Sequence, residues 1–289
     1  MVDPILKWAG GKRSLITNII NLFPYDHKSR NYHEPFIGGG AVFFKISPRS
    51  GSINDINTHL TNFYSVVRDD PDGLIAQARK YPYKKDSYYE LRERFNNPSI
   101  SNLEKAALLL YLNKTAFNGL YRVNSNGLFN VPFGSYKNPT IVPENDILKA
   151  TKILKKVEIF NRDFSYVLDY ANESDLCYFD PPYHPISETA NFTSYSSEGF
   201  DFHEQERLHD LCVDLDEKGV LFVLSNSYAP PILNLYKNVD RFRIEIVQAK
   251  RAISSKASTR GPIDEILVTN IPKELSRRNR STLQSLFEN

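Results

Sequence analysis

No apolar run in the 289 residues approaches the ~20 needed to cross a bilayer; the best stretches, 106–112 and 220–224, suit a buried helix and a buried strand. The start of the chain also lacks the apolar core of a signal peptide, because Lys7, Gly10, Gly11, Lys12 and Arg13 interrupt it at once. A cytoplasmic protein with no membrane partner is expected. Cysteine is scarce. The two present, Cys177 and Cys212, lie within apolar or amphipathic patterns and outside any Cys–His set at metal-ligand spacing, so buried thiols are expected and no metal site. Nor is there an excess of charge: 36 basic against 34 acidic residues leave +2, and any case for nucleic acid has to rest on where the charges sit. Internal repeats and low-complexity tracts are absent. What is present is a 41% hydrophobic composition, enough for one large α/β domain plus an inserted module.

Short apolar runs with breakers close behind them, at residues 32–36, 51–54, 176–179 and 220–225, read as buried parallel strands. Amphipathic patterns separate them: Leu15, Ile16, Ile19, Ile20 and Leu22 within 14–22, and Leu208, Leu211, Cys212 and Leu215 within 203–215. Such alternation predicts an open, mostly parallel sheet. Between about residues 70 and 143 it stops, and polar helical segments at 87–95 and 103–115 take over, which marks an insert. Near its end, residues 121–133 set Ser125-Asn126-Gly127 between two aromatic or β-branched arms, a hairpin signal. The expected division is a sheet domain of residues 1–69 and 144–272, an insert of 70–143 and a tail of 273–289 with no assigned role. In the tail, Arg277, Arg278 and Arg280 precede Leu283, Leu286 and Phe287 in the manner of a weakly docked helix.

The most specific feature is Asp180-Pro181-Pro182-Tyr183, directly after the apolar run 176–179. In an open α/β sheet, ligands bind beyond the carboxyl ends of the strands, which is where this turn falls. The two prolines remove backbone donors and restrict φ, so the turn is stiff and presents acceptors, the Asp180 carboxylate and the Pro181 carbonyl. Two acceptors on one turn suit a conjugated exocyclic amine such as adenine N6. Its lone pair is delocalised into the ring, and hydrogen bonds accepted from both amino hydrogens push that density back onto nitrogen. Tyr183 offers a ring on which a base can stack. The bland alternative is a proline-rich turn with an incidental acid.

Glu34-Pro35-Phe36-Ile37-Gly38-Gly39-Gly40 follows the first strand and leads into a helical pattern at 41–46. Its glycines let a ligand approach the backbone closely. The dinucleotide fingerprint needs a glycine three positions after Gly40, where Phe43 stands, so a nicotinamide cofactor is disfavoured and a small adenosyl ligand fits better. Asp55, in Asn54-Asp55-Ile56-Asn57 at the end of the next strand, is placed to accept both ribose hydroxyls. Taken singly, the glycine turn could be purely structural. Trp8-Ala9-Gly10-Gly11-Lys12-Arg13 lacks the leading glycine and the trailing Ser or Thr of a phosphate loop, which excludes a P-loop nucleotidase. Its two glycines beside Trp8 and Lys12 either close over the methionine end of a cofactor or only start a helix.

In content and order these motifs resemble the Dam-type, D12-class family of DNA adenine methyltransferases. The likeness runs from about residue 6 to about residue 270 and rests on 7–13, 34–40, Asn54-Asp55, 117–124, 129–134 and 180–183. It implies a Rossmann-like, seven-stranded S-adenosylmethionine-dependent methyltransferase sheet with an inserted helical DNA-recognition domain carrying the hairpin. It implies S-adenosylmethionine held by Trp8, Gly10, Gly11, Lys12, Glu34, Pro35, Phe36, Gly38, Gly40, Asp55 and Asp180. Asp163 would accept from the cofactor's adenine amine and Phe164 pack beside it, whereas residue chemistry alone equally allows Asp163 as a helix cap. Catalysis falls to Asp180, Pro181, Pro182 and Tyr183. For DNA, the resemblance gives the outer guanine to Lys7, guanine O6 and N7 to Arg122, a thymine methyl to Leu120 and Pro132, and the space left by a flipped base to Phe117, with Asn118 and Asn124 in the same segment. The alternative for Phe117 and Leu120 is a core position completing the helix 103–115. Ser135 departs from the pattern, standing where many relatives carry a basic residue, and brings no charge to a phosphate there.

The expectation is an enzyme acting as a monomer on adenine N6 of double-stranded DNA, at GATC, by base flipping, without a metal or a covalent enzyme intermediate. A cognate restriction endonuclease is left open as a partner. Methylation of RNA adenine or of cytosine N4, and a catalytically silent DNA-binding module, are the competing readings. Arg122 and the hairpin favour DNA, and intact Asp55, Asp163 and Asp180 argue against a silent module.

Overall fold

The computed structural model describes residues 2–185, 200–249 and 263–277. Strands β1 (Tyr32–Glu34), β2 (Gly51–Asn54), β3 (Glu158–Phe160), β4 (Leu176–Phe179), β5 (Leu221–Ser227), β6 (Arg243–Ala249) and β7 (Ile263–Thr269) form one seven-stranded sheet of order β3-β2-β1-β4-β5-β7-β6. Pairing is parallel for β1 with β4, β4 with β5 and β2 with β3, and antiparallel on both sides of β7. The mostly parallel sheet expected from the alternation is therefore present, with an antiparallel pair added at one end. Every residue of β4 is buried, as suits a central parallel strand covered on both faces. It stops where Pro181 and Pro182 can no longer donate to a ladder.

By contact density the chain divides into two units, Met1–Gly11 with Ile37–Arg162, and Lys12–Phe36 with Asp163–Asn289. In the first, β2 and β3 are joined by α2 (Ala41–Ile46), α3 (Thr58–Asp69), α4 (Pro71–Ala78), α5 (Lys85–Asn96), α6 (Asn102–Thr115) and α7 (Glu144–Leu154). Helix starts are encoded locally. Asn57 accepts from the His59 and Leu60 amides ahead of α3, Asp70 from Gly73 ahead of α4, and Ser101 from Glu104 ahead of α6. The run 106–112 is the middle of α6, buried throughout and packed against α3, α4 and α5.

Residues 70–143 lie wholly in the first unit and form helices but no named strand. The turn at Ser125-Asn126-Gly127 is made, with Gly127 at φ +72°, and the chain doubles back through Asn124 N–H to Leu128 O (2.9 Å) and Asn130 N–H to Arg122 O (3.1 Å). Its arms meet in a single bridge, Val123 with Phe129, rather than in strands. Phe129 stands opposite Val123 with its own N–H and carbonyl turned outward, and there the Asn96 side chain takes both, at 2.8 and 3.1 Å, so this arm is tied to α5 instead of to a further strand.

In the second unit, β1 and β4 to β7 are accompanied by α1 (Ile16–Leu22), α8 (Tyr166–Tyr170), α9 (Phe202–Glu217) and α10 (Pro230–Tyr236). Asp201 caps α9, which buries the predicted stripe Leu208, Leu211, Cys212 and Leu215. Both cysteines are free and buried, and no His, Cys, Asp and Glu cluster fit for a metal occurs among the described residues. Among these residues no helix is long and apolar enough to cross a membrane. The helix expected near Leu283 to Phe287 lies outside the described residues.

Candidate active site

β4 delivers Asp180 at its end, and the second unit builds around it. Asp180 Oδ1 lies 2.8 Å from Lys12 Nζ, and Lys12 is itself only 6% exposed. Burial pushes the Asp180 carboxyl above its ordinary range while the Lys12 charge opposes that rise. The ammonium also lies 4.3 Å above the centre of the Tyr183 ring. On the far side, the Tyr183 hydroxyl donates to Glu265 Oε2 of β7 at 2.7 Å. Burial, with the Asp180 and Glu265 charges, holds this phenol well above its normal pKa, so it remains a proton donor.

Further side chains pin the same turn. Gln205 Nε2 of α9 donates to the Pro182 carbonyl at 2.9 Å, itself oriented by Asn226 Nδ2 at 2.8 Å, and the Ser227 hydroxyl donates to the His184 carbonyl at 2.7 Å. None of these bonds takes up the Pro181 carbonyl, the second acceptor expected of the turn. Lys12, Asp180 and Tyr183 are thus brought together as one cluster. Glu265, Gln205, Asn226 and Ser227 were not anticipated, because each reaches the turn from another element. The available signal was a pair of acids, Asp264 and Glu265, near the start of a strand that is otherwise mostly apolar.

Phe36, Asp163 and Phe164 also meet within the second unit. The Phe36 and Phe164 rings stack at 5.4 Å, and Phe200 stands edge-on to Phe36 at 5.6 Å. Arg207 of α9 donates to Asp163 Oδ1 at 3.0 Å and lies 5.0 Å over the Phe164 ring. Burial raises the Asp163 carboxyl, but hydrogen bonds from Ser165 and the Arg207 charge outweigh it and hold the group below its ordinary value. Asp163 also accepts from the Ser165 N–H at 3.0 Å, the local turn role that its chemistry allowed. Glu34 and Pro35 are buried, and Glu34 Oε2 accepts from the Tyr32 hydroxyl at 2.5 Å.

In the first unit the glycine turn lies against Trp8. Gly38 and Gly40 have φ of +45° and +70°, and a Cβ on Gly38 would fall 2.9 Å from Trp8 Cδ1. Asp55 closes this turn: Oδ2 accepts from Gly38 N–H at 3.0 Å and Oδ1 from Asn57 N–H at 2.9 Å. Burial lifts the Asp55 pKa to about 6 against the lowering effect of those two bonds. The carboxylate is half-buried, and each oxygen has a second lone pair. Trp8 stacks on Tyr121 at 5.1 Å, and the Tyr121 hydroxyl meets His59 Nδ1 at 2.6 Å. Gly10 and Gly11 are exposed, and Gly10 has φ +75°.

The segment expected at DNA leaves α6 abruptly. Ala116 is extended and Asn118 left-handed (φ +54°), so the helix does not continue, and Phe117 is 51% exposed. This overturns the core alternative for Phe117; Leu120 is half-buried, and Lys7, Asn118, Arg122 and Pro132 are exposed. Asn124 works within the turn, its Oδ1 accepting from the Asn126 and Leu128 amides at 3.0 Å each. Arg122 Nε donates to Asn130 Oδ1 at 2.7 Å. Asn113, buried near the end of α6, accepts from Lys7 N–H at 2.8 Å and donates to the Lys7 carbonyl at 2.7 Å and the Gly119 carbonyl at 3.2 Å. Lys7 Nζ lies 4.2 Å over the Tyr136 ring. No spacing rule in the sequence ties residue 7 to residue 113.

Residues 8–253 match the family described as D12 class N6 adenine-specific DNA methyltransferase. The Type II methyltransferase M1.LlaDCHI of Lactococcus lactis subsp. cremoris is 43% identical over 274 residues, covering 92% of this chain and 95% of that protein. The Type II methyltransferase M.MjaIII of Methanocaldococcus jannaschii is 39% identical over 288 residues, covering 93% and 99%. The DNA adenine methylase of Escherichia coli K12 is 34% identical over 275 residues, covering 94% and 96%. Matched over most of its length, the chain belongs to the D12 class of N6 adenine-specific DNA methyltransferases.

Proposed function

We propose that this adenine-specific DNA methyltransferase takes its methyl group from S-adenosylmethionine and places it on an adenine flipped out of duplex DNA at GATC. The observation that carries the reading is the end of β4, where a buried ammonium, Lys12, holds one oxygen of Asp180 at 2.8 Å and lies over the Tyr183 ring. The other carboxylate oxygen and the Pro181 carbonyl are then the acceptors for the two amino hydrogens of adenine, and Tyr183 is the platform on which the base stacks. Orientation contributes much of the acceleration, because an amine held in line needs no metal and no covalent enzyme intermediate. Flipping costs a few kcal/mol, which contacts to the duplex offset.

The donor set fits an adenosyl cofactor. The Gly38 to Gly40 turn has left-handed glycines that a Cβ would crowd, and the half-buried Asp55 carboxylate suits two ribose hydroxyls. Asp163 suits an adenine amine, and the Phe36 and Phe164 rings suit its faces. Trp8, Gly10, Gly11, Glu34 and Pro35 are assigned to the same cofactor by family likeness. Bound S-adenosylmethionine supplies an electrophilic methyl group on a sulfonium. In this reading Lys12 serves the transfer by fixing Asp180.

Residues 70–143 are assigned to DNA recognition and residues 1–69 with 144–272 to methyl transfer. The scheme needs one copy of the chain, and a restriction endonuclease reading the same site would be its natural counterpart. Labelled S-adenosylmethionine incubated with unmethylated GATC duplex, then nucleoside analysis, tests the reading. Label in N6-methyladenine at GATC is the expected result. Label only in N4-methylcytosine, only in RNA, or at other adenines overturns it.

A further inference from the structure

The ring of Tyr183 has one polar handle, and Glu265 holds it. Glu265 lies on β7, in register with Ser227 of β5 and Val247 of β6, so its backbone is fixed by a ladder on both sides. Its Oε2 accepts from the Tyr183 hydroxyl at 2.7 Å, while the ring carries the Lys12 ammonium at 4.3 Å and that ammonium carries Asp180 at 2.8 Å. The four groups therefore form one chain of alternating character: carboxylate, ammonium, phenol, carboxylate. A phenol without this anchor keeps its place in the turn but is released in χ1 and χ2, and a stacking platform that rotates is not a platform. The ring is also fixed relative to the remainder of the turn, because Ser227, beside Glu265 in the sheet, binds the His184 carbonyl at 2.7 Å.

We propose that Glu265 is a positioning residue for methyl transfer, acting through the Tyr183 hydroxyl to hold the stacking ring in the plane the target adenine needs. The proposal rests on reading Tyr183 as that platform. Hydrogen bonds to charged groups are among the stronger ones, so Glu265→Ala is expected to lower the single-turnover rate by roughly 10-fold or more. Tyr183→Phe removes the same bond from the other end and should lose about as much. In the double variant the second change should add less than about twofold, because each single change already breaks the one bond they share. Glu265→Gln retains a carbonyl acceptor and should restore most of the rate. Fluorescence of 2-aminopurine at the target position should rise in Glu265→Ala, since a loosely held ring stacks on and quenches the base less.

Thermal melting establishes that each variant is folded. Where Glu265→Ala fails to fold, Tyr183→Phe against Glu265→Gln still decides the matter. A Glu265→Ala enzyme at the wild-type rate, losses that multiply in the double variant, or Tyr183→Phe at full rate each overturn the positioning role. The platform reading has its own control in Tyr183→Ala. If that variant retains the wild-type rate, the platform fails and the proposal with it. If it collapses while Glu265→Ala does not, only the proposal fails.

Discussion

A carboxylate that accepts hydrogen bonds from a neutral amine works only while it is ionised, and burial opposes ionisation. At Asp180 the opposing influence is Lys12, and the two charges depend on each other. Asp180→Ala removes the acceptor, and loss of one preorganised polar contact costs ~10²-fold or more in rate. It also takes the carboxylate counter-charge from a buried ammonium, which costs ~3 kcal/mol or more in stability. Lys12→Met should strand the carboxylate in the same way. The double variant Lys12→Met with Asp180→Ala should then melt above either single one, while all three are dead in single-turnover methyl transfer. A double variant that melts below both singles would mean the pair is not the unit described.

Asp55 carries a second prediction, and its sign differs for folding and for binding. Its pKa is raised from 3.8 to about 6, so its contribution to fold stability is fully present below 3.8 and is lost as pH rises through about 6. Ribose hydroxyls need the ionised acceptor, so affinity for S-adenosylhomocysteine should fall as pH drops through about 6. Calorimetric titration across that range should show the fall in the wild type and a weak, flat response in Asp55→Ala; an unchanged affinity would return Asp55 to a turn residue. Both aspartates were legible in the sequence because they follow short apolar strands. The pairings were not: Lys12 and Gly38, read as cofactor residues, are set against Asp180 and Asp55 by folding, and Glu265, which holds Tyr183, lies in no motif.

Elements were legible where one physical signal dominated. β2 and β4 are bounded by breakers and have their predicted limits, and α6 follows the helical pattern read at 103–115, started by the Ser101 cap. β3 is three residues with no alternation to see, and β7 carries an Asp and a Glu within its apolar pattern. The doubling back at 121–133 was legible as a turn but not as a bridge without strands, because its second arm is tied from outside to Asn96 of α5, a contact no local pattern shows. Glycine at the exit of α6 allows a contrast between two positions. Gly119 and Gly127 have φ of +64° and +72°, so alanine at either costs ~1 to 2 kcal/mol of left-handed strain. A Cβ on Gly119 would also lie 2.3 Å from Lys7 Cδ and 2.9 Å from Lys7 Cβ, whereas one on Gly127 meets nothing within 4 Å. Gly119→Ala should therefore melt lower than Gly127→Ala, and it alone should blur discrimination at the base pair assigned to Lys7. Equal melting of the two, with both discriminating like the wild type, would show that Gly119 does not seat Lys7.

At the scale of the whole molecule, a net charge of +2 provides little general attraction for a polyanion, so sequence selection has to come from a few well-placed groups. Arg122 is the principal one proposed. It is exposed, and its guanidinium is oriented by Asn130 at 2.7 Å, which limits the side-chain freedom lost when it meets a base. If it reads guanine O6 and N7 in the last base pair of GATC, losing it should cost ~1 to 3 kcal/mol of discrimination at that pair and leave the other positions selected. A phosphate contact would behave differently: all sequences would weaken together, and the slope of affinity against salt would fall by about one. Mapping methylated adenines on genomic DNA treated with wild type and with Arg122→Ala separates the two. Marks confined to GATC in the wild type, spreading to sites altered in the last base in the variant, are the expected pair of results. Wild-type marks outside GATC would discard the recognition code carried over from the family. A variant that is weaker everywhere, yet still confined to GATC, would make Arg122 a clamp on the backbone and leave the reading of that pair to its exposed neighbours, Asn118 first among them.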